Sequence, residues 1–260
     1  RSAISQHITN IKKNYSMLRK ILHPFYVLYQ VLFAWWVAII LVAITSICIS
    51  LFGRYLKIKN GDHTPAVIWC KLTCWLFLIP VKVVDREKYV QKDKNYIFAA
   101  NHQGMFDIFV MYGYVEQRFK WIMKDTLRKI PLLGKACADT GHIFVNRSTP
   151  QKDLLRNSIN ILKNGISMGI FPEGTRSKDG EIHNFKAGAF ILAKDAEVPI
   201  LPIVLDGTKT FLNGWRINWR NRITIKILPP ISADKVRDNS IKETMAEVHE
   251  SMVAALAQIR

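Results

Sequence analysis

The amino-acid sequence predicts an α/β protein preceded by apolar helices, and three observations carry that reading. From Phe25 to Phe52 no charged residue occurs. Beyond residue 80, short β-rich runs alternate with stretches of helical periodicity. Two short polar strings, Asn101-His102-Gln103-Gly104-Met105-Phe106-Asp107 and Phe171-Pro172-Glu173-Gly174-Thr175-Arg176-Ser177, each follow one of the β-rich runs. Ligand sites of open α/β sheets lie at such carboxyl ends of strands.

The strand candidates are Val81–Val84, Tyr96–Ala100, Phe119–Met123, Ile143–Val145, Ser167–Phe171, Ile200–Leu205 and Ile223–Leu228. Helices are expected near 105–115, 150–163, 186–195 and 233–259. The chain therefore divides into residues 1–80, a basic lead with two apolar helices around the polar turn Asn60-Gly61-Asp62, and residues 81–260, an α/β domain.

At about 1.5 Å per residue the run from Phe25 to Phe52 exceeds the roughly 30 Å of a bilayer's hydrocarbon core. Core helices of soluble proteins seldom stay uncharged for so long. A cleaved signal is shorter and ends in a small-residue cleavage site, so the run is expected to persist as an anchor. Lys12, Lys13, Arg19 and Lys20 precede it and Arg54, Lys57 and Lys59 follow it, so flanking charge gives no orientation. A second apolar stretch, Pro65 to Pro80, carries Lys71 and is short for a span. The first run either crosses alone or pairs with the second in a hairpin that enters and leaves one face. The hairpin puts both basic flanks on one side and is the reading adopted.

The net charge of +17 is spread over the whole length. It suits an anionic membrane and acidic or phosphorylated substrates, and the apolar run argues against nucleic acid as the partner. Cys48, Cys70, Cys74 and Cys137 lack metal-knuckle spacing, which indicates neither zinc nor disulfides and fits a catalytic domain in a reducing, cytoplasmic setting.

Of the seven histidines, only His102 has an aspartate five residues on. Acylating an alcohol needs a base for the hydroxyl proton, and neutral histidine suits that task near pH 7. With Gly104 as N-cap and a helix from Met105, Asp107 falls in the first turn, where the helix dipole favours a carboxylate. There it can orient His102 and stabilise the imidazolium. No Gly-x-Ser-x-Gly elbow occurs and no serine adjoins His102, so the substrate hydroxyl is the expected nucleophile and no acyl-enzyme forms. A histidine that merely caps a turn is the plain alternative.

In the second string Gly174 lets backbone N–H groups approach an anion, and Arg176 can grip phosphate through two donors. Glu173 repels phosphate, so it binds hydroxyls or steadies the loop. A surface turn held by a Glu–Arg pair is the alternative. Arg147 closes a further basic string, Ile143-Phe144-Val145-Asn146-Arg147. In Phe211 to Arg222, tryptophan interleaves with arginine, which suits a headgroup interface or a hairpin packed on the core.

On these residues the chain resembles the lysophosphatidic acid acyltransferases (1-acyl-sn-glycerol-3-phosphate acyltransferases, PlsC-like) of the glycerolipid acyltransferase family, over about residues 80–210. The resemblance makes His102 the base and Asp107 its partner, and Glu173, Gly174, Thr175 and Arg176 the acceptor site. It adds Phe144 to Arg147 as a glycerol phosphate block, and a Lys-x-x-Leu…Pro-x-x-Gly block in Lys124, Leu127, Pro131 and Gly134. The paired prolines of Val198-Pro199-Ile200-Leu201-Pro202 match as well. Gly104 departs from the pattern, which commonly has serine or threonine there.

What the resemblance implies is a glycerolipid acyltransferase-type α/β domain behind an N-terminal two-helix membrane motif. The implied reaction moves a fatty acyl group from acyl-CoA or acyl carrier protein to the sn-2 hydroxyl of lysophosphatidic acid, giving phosphatidic acid in phospholipid biosynthesis. Arg147, Arg176 and Lys124 would hold phosphate, with no metal or other cofactor, on the cytoplasmic face of the cell membrane. The alternatives are glycerol 3-phosphate or another lysophospholipid as acceptor, or a catalytically silent lipid-binding protein.

Overall fold

The computed structural model describes residues 6, 17, 20–57, 60–145, 151–209, 212–213, 216–218 and 222–260. Helix α1, Lys20–Tyr55, is long and apolar enough to cross a membrane. A polar turn leads into α2, Thr64–Leu76, which starts with a proline in its first turn, where the missing N–H costs nothing. The two run antiparallel: the Tyr26 hydroxyl donates to the Phe77 carbonyl at 2.6 Å and the Tyr29 hydroxyl to the Leu76 carbonyl at 2.8 Å. The Trp35 and Phe77 rings pack at a tilt of 58° with centroids 4.9 Å apart.

Beyond the hairpin lie β1 (Val81–Val84), α3 (Arg86–Tyr89), β2 (Ile97–Ala100), α4 (Phe106–Tyr114), β3 (Phe119–Lys124), α5 (Leu133–Asp139), β4 (Ile143–Val145) and α6 (Gln151–Lys163). Then come β5 (Ser167–Ile170), α7 (Gly188–Ala196), β6 (Ile200–Asp206), the paired β7 (Leu212–Asn213) and β8 (Arg216–Ile217), β9 (Ile223–Ile227), α8 (Ala233–Asp238) and α9 (Ile241–Ile259). The main sheet has the order β1-β9-β6-β2-β5-β3-β4 and is parallel except between β6 and β9. All seven β-rich runs of the sequence are strands of this sheet.

The central strands are apolar on both faces, as a sheet covered on both sides requires. Phe98 and Ala100 of β2 face one core with α1, α2 and α4, whereas Ile97 and Ala99 face a second core with α6, α7, α8 and α9. Two local departures from the sequence reading have simple causes. The expected helix at 233–259 breaks at Asn239, because Ser240 and Glu243 form a reciprocal capping box that starts a new helix. The seven residues of α5 are too few to show a period. The Trp/Arg stretch contributes the strand pair β7–β8, while Phe211, Trp215 and Trp219 lie outside the described residues.

Phe25, Leu28, Leu32, Trp36, Ile39 and Ile47 form an exposed apolar stripe along α1 at helical spacing. Gln30, the polar interruption on the opposite side, is fully buried. Its side-chain amide donates to the Ile217 carbonyl at 2.8 Å and accepts from the Ile217 N–H at 2.9 Å, as a neighbouring strand would.

A second tie holds the hairpin turn to the sheet. Asp62 accepts from Lys120, a buried lysine of β3, and from Arg118 at 2.7 Å. Burial opposes ionisation of Asp62, but the two cations outweigh it and hold the carboxyl at about 2. Because the folded value lies below that of an unfolded aspartate, this contribution is complete above about pH 4 and is lost as pH falls through about 2. Replacing Asp62 by asparagine strands the Lys120 charge and is expected to cost roughly 3–5 kcal/mol, or about 10 °C in Tm. Thermal unfolding in detergent between pH 7 and pH 2.5 checks this: the wild type loses stability at the acid end, and the variant starts lower and loses less.

Candidate active site

Strands β6, β2, β5, β3 and β4 are neighbours running in one direction, so the loops at their carboxyl ends share an edge. His102 follows β2, Glu173 follows β5 and Lys124 ends β3. Arg147 lies outside the described residues.

The His102 Nδ1 lies 2.7 Å from Oδ2 of Asp107, which is fully buried at the start of α4. That same Oδ2 accepts the backbone N–H groups of Gln103 at 2.7 Å and Gly104 at 2.8 Å. An oxygen that receives two amide protons is placed to accept a third, so the His102 Nδ1–H is the donor, and in the neutral ring of that tautomer the lone pair lies on Nε2. Among the described residues no serine, threonine or cysteine is hydrogen-bonded to the ring. The imidazole stacks on Phe171 with centroids 4.0 Å apart and planes 9° apart, and Phe171 stacks in turn on Trp121.

The helix begins one residue later than the sequence reading placed it, at Phe106, and Gly104 precedes the cap position. Its lack of a side chain is required for another reason: a Cβ there would sit 2.6 Å from the Thr208 carbonyl oxygen. Serine at 104 would therefore push the Thr208 backbone away and tilt the N–H that Asp107 accepts.

Glu173 is 5% exposed and fastens the two strings together. Its Oε1 accepts the His102 N–H at 2.8 Å and its Oε2 the His183 N–H at 3.2 Å, while the Ser177 N–H donates to the His102 carbonyl at 2.7 Å. Burial raises its pKa, partly offset by the two N–H donors. Of the two roles left open by the sequence, this geometry is that of steadying the loop. Gly174, at φ +73°, Thr175 and Arg176 are exposed at the rim. Arg176 and Lys124 make no ion pair with a described residue.

Four contributors were not singled out from the sequence. Asn101 is fully buried and exchanges two hydrogen bonds with the Leu205 backbone, joining the His102 loop to β6. Phe171 and Trp121 form the aromatic stack behind the imidazole. Lys186 lies across Gly174, where a Cβ would meet its Nζ at 2.8 Å. Asn101 and Phe171 were inside the two strings, and their place beside the motif residues was the available signal; Trp121 and Lys186 carried none.

A cavity of about 310 Å³ opens beside this site, walled by Met105, Phe109 and Trp121 together with Val42 and Ile49 of α1 and Trp69 of α2. Its lining is almost wholly apolar.

Residues 81–206, which carry the histidine–carboxylate pair and most of this edge of the sheet, match the Acyltransferase family. A 1-acyl-sn-glycerol-3-phosphate acyltransferase of Haemophilus influenzae is 30% identical over 230 residues, covering 85% of this chain and 94% of that protein. One of Saccharomyces cerevisiae is 35% identical over 187 residues, 70% of this chain and 61% of that protein. The crystal structure of the 1-acyl-sn-glycerophosphate (LPA) acyltransferase PlsC from Thermotoga maritima superimposes with a TM-score of 0.76 at 27% identity, covering 93% of this chain and 97% of that one. The chain belongs to the 1-acyl-sn-glycerol-3-phosphate acyltransferase family. Its match spans about three fifths of the yeast relative and of the chloroplast relatives from Arabidopsis thaliana and Brassica napus, at 61%, 60% and 59% of their lengths.

Replacing Gly104 by serine is expected to lower turnover roughly 10- to 100-fold, because supports of a reacting group act on that scale when displaced. Steady-state kinetics in lipid vesicles measures it, and a variant that keeps full turnover contradicts the close approach at Thr208.

Proposed function

We propose that the protein is a membrane-associated enzyme that moves a fatty acyl group from a thioester, acyl-CoA or acyl carrier protein, to the sn-2 hydroxyl of lysophosphatidic acid. The observation that carries this reading is the His102 ring. Its Nδ1 is committed to Asp107, its Nε2 has no partner among the described residues, and it sits between an apolar cavity and a rim bearing Lys124, Arg176 and Lys186.

The acyl chain enters the cavity and brings its thioester carbonyl to the edge of the sheet. The acceptor's phosphate is held by the rim cations, with Arg147 as the further cation that the sequence motif supplies. Nε2 takes the proton of the sn-2 hydroxyl as its oxygen attacks the carbonyl carbon. The tetrahedral intermediate expels the thiolate, and the imidazolium returns the proton to sulfur. Asp107 holds the ring's tautomer and offsets its transient positive charge. One ester forms and one thioester breaks, so the step balances with the chain's own groups and the two substrates.

Direct transfer is supported by the lack of a hydroxyl or thiol bonded to His102 among the described residues. Membrane association is supported by the exposed stripe on α1, which continues on α2 with Ile68 and Trp75. In this reading the two helices enter and leave on one side of the bilayer, and the catalytic domain lies on the cytoplasmic face.

Purified protein in phosphatidylcholine vesicles, offered both thioesters and a panel of acceptors, tests the proposal. Lysophosphatidic acid should be acylated in preference to glycerol 3-phosphate and to other lysophospholipids. Replacing His102 by alanine or Asp107 by asparagine should lower kcat by roughly two to four orders of magnitude, with little change in KM for the acceptor. Substantial turnover without His102 would sink the mechanism, and preference for another acceptor would reassign the substrate.

A further inference from the structure

A second concavity lies across the sheet from the acyl cavity. Alternate residues of β3 separate the two: Trp121 and Met123 line the acyl cavity, and Ile122 between them lines the other. This groove, about 400 Å³, runs between α6 and α7 over Ile122 and Ile170, with Leu155 and Ile191 as walls. Its mouth carries Gly174 and Lys186, and Phe171, which stacks on His102, forms part of it. The groove therefore begins at the catalytic ring and leads to the opposite face.

Its polar chemistry is specific. Ser158 of α6 is 1% exposed and lines the groove, yet its hydroxyl has no hydrogen-bond partner among the described residues. A buried hydroxyl left unpaired is costly, and a ligand amide would satisfy it. The start of α7 at Gly188 and the Lys186 ammonium add positive character beside it.

The groove also faces water. Beyond residue 80 the exposed large hydrophobic residues, among those described, are Met105, Ile130, Leu132 and Val253. Met105 and Ile130 belong to the acyl cavity, and the outward side of α6 presents Asp153, Arg156, Asn157, Asn160 and Lys163. A lipid acceptor keeps its chain in the bilayer, whereas a thioester donor is amphiphilic in the opposite sense. Its acyl chain leaves the reacting carbonyl on one side, and its sulfur carries a slender amide-bearing arm, ending in phosphate, on the other.

We infer that the groove between α6 and α7 holds the pantetheine arm of the thioester donor, with Ser158 bonded to an arm amide. The inference rests on the acyl-transfer reading above. The donor then lies across the edge of the sheet, with acyl chain on the hairpin face, carbonyl at His102 and arm on the water face.

The test uses vesicles of phosphatidylcholine and lysophosphatidic acid with three donors that share one acyl chain: palmitoyl-CoA, palmitoyl-pantetheine and the palmitoyl thioester of 2-mercaptoethanol, which lacks the arm. Leu155→Trp fills the groove and should raise KM for the first two donors roughly tenfold or more, leaving the third donor and the acceptor within about twofold. Ser158→Ala, which removes only the hydroxyl and suits a helix, should show the same pattern at about fivefold, the worth of one buried hydrogen bond. A wild type that uses no thioester overturns the acyl-transfer reading and the groove assignment together. A wild type active on all three donors whose variants leave donor KM unchanged, or raise only acceptor KM, overturns the groove assignment alone.

Discussion

One buried carboxylate makes the two halves of the site a single object. Glu173 leaves β5 and spends both oxygens on backbone N–H groups, one from the His102 loop and one from the segment that leads to α7. Backbone donors cannot change rotamer, so the positions of β2 and β5 pass directly to the imidazole. Without that acceptor, two backbone N–H groups would lose their protein partner and the tie between the loops would weaken. The Ser177 to His102 bond runs the other way across the same gap, so the loops are stitched at two points.

The sheet then sorts the chemistry by face. Side chains of consecutive residues on β2 and β3 point into different cores, and each core is roofed by helices of different character. On one face the roof is the α1–α2 hairpin, apolar outside as well as inside, tied down by Gln30 against Ile217 and by Asp62 against Lys120 and Arg118. On the other it is α6 to α9, whose outer surfaces are mainly polar. Val42 and Ile49 of the hairpin complete the apolar cavity, so removing α1 would open that cavity to solvent.

Much of this was legible in the sequence, and the illegible remainder has a common cause. Strands buried on both faces read as plain apolar runs, and the His102 to Asp107 spacing works within one loop and one helical turn, so both are local signals. Gln30, Asp62, Lys120 and Ser158 act through partners far away in the chain or absent from it. Gln30 looked like a blemish in an apolar helix because its partner is 187 residues distant. Gly104 looked like a substitute N-cap because nothing nearby revealed the Thr208 carbonyl pressing on it. Glu173 was left with two roles because a carboxylate beside a phosphate site and one that fastens loops have the same sequence.

The direct transfer proposed above imposes its own architecture. With no covalent intermediate to wait in, thioester and alcohol would have to meet in one complex, the entropy of bringing them together being offset by binding energy remote from the reacting atoms. An acyl chain supplies that energy only to a deep apolar cavity, and a thioester's second half only to a separate surface. The His102 ring can serve both because it lies at an edge, where loops from adjacent parallel strands converge and both faces of the sheet are within reach. The stack of His102, Phe171 and Trp121 spans that edge: Trp121 belongs to the acyl cavity and Phe171 to the groove. The aromatic wall that fixes the plane of the imidazole thereby also separates the apolar cavity from the groove, so a change in ring packing on either side should be felt at His102.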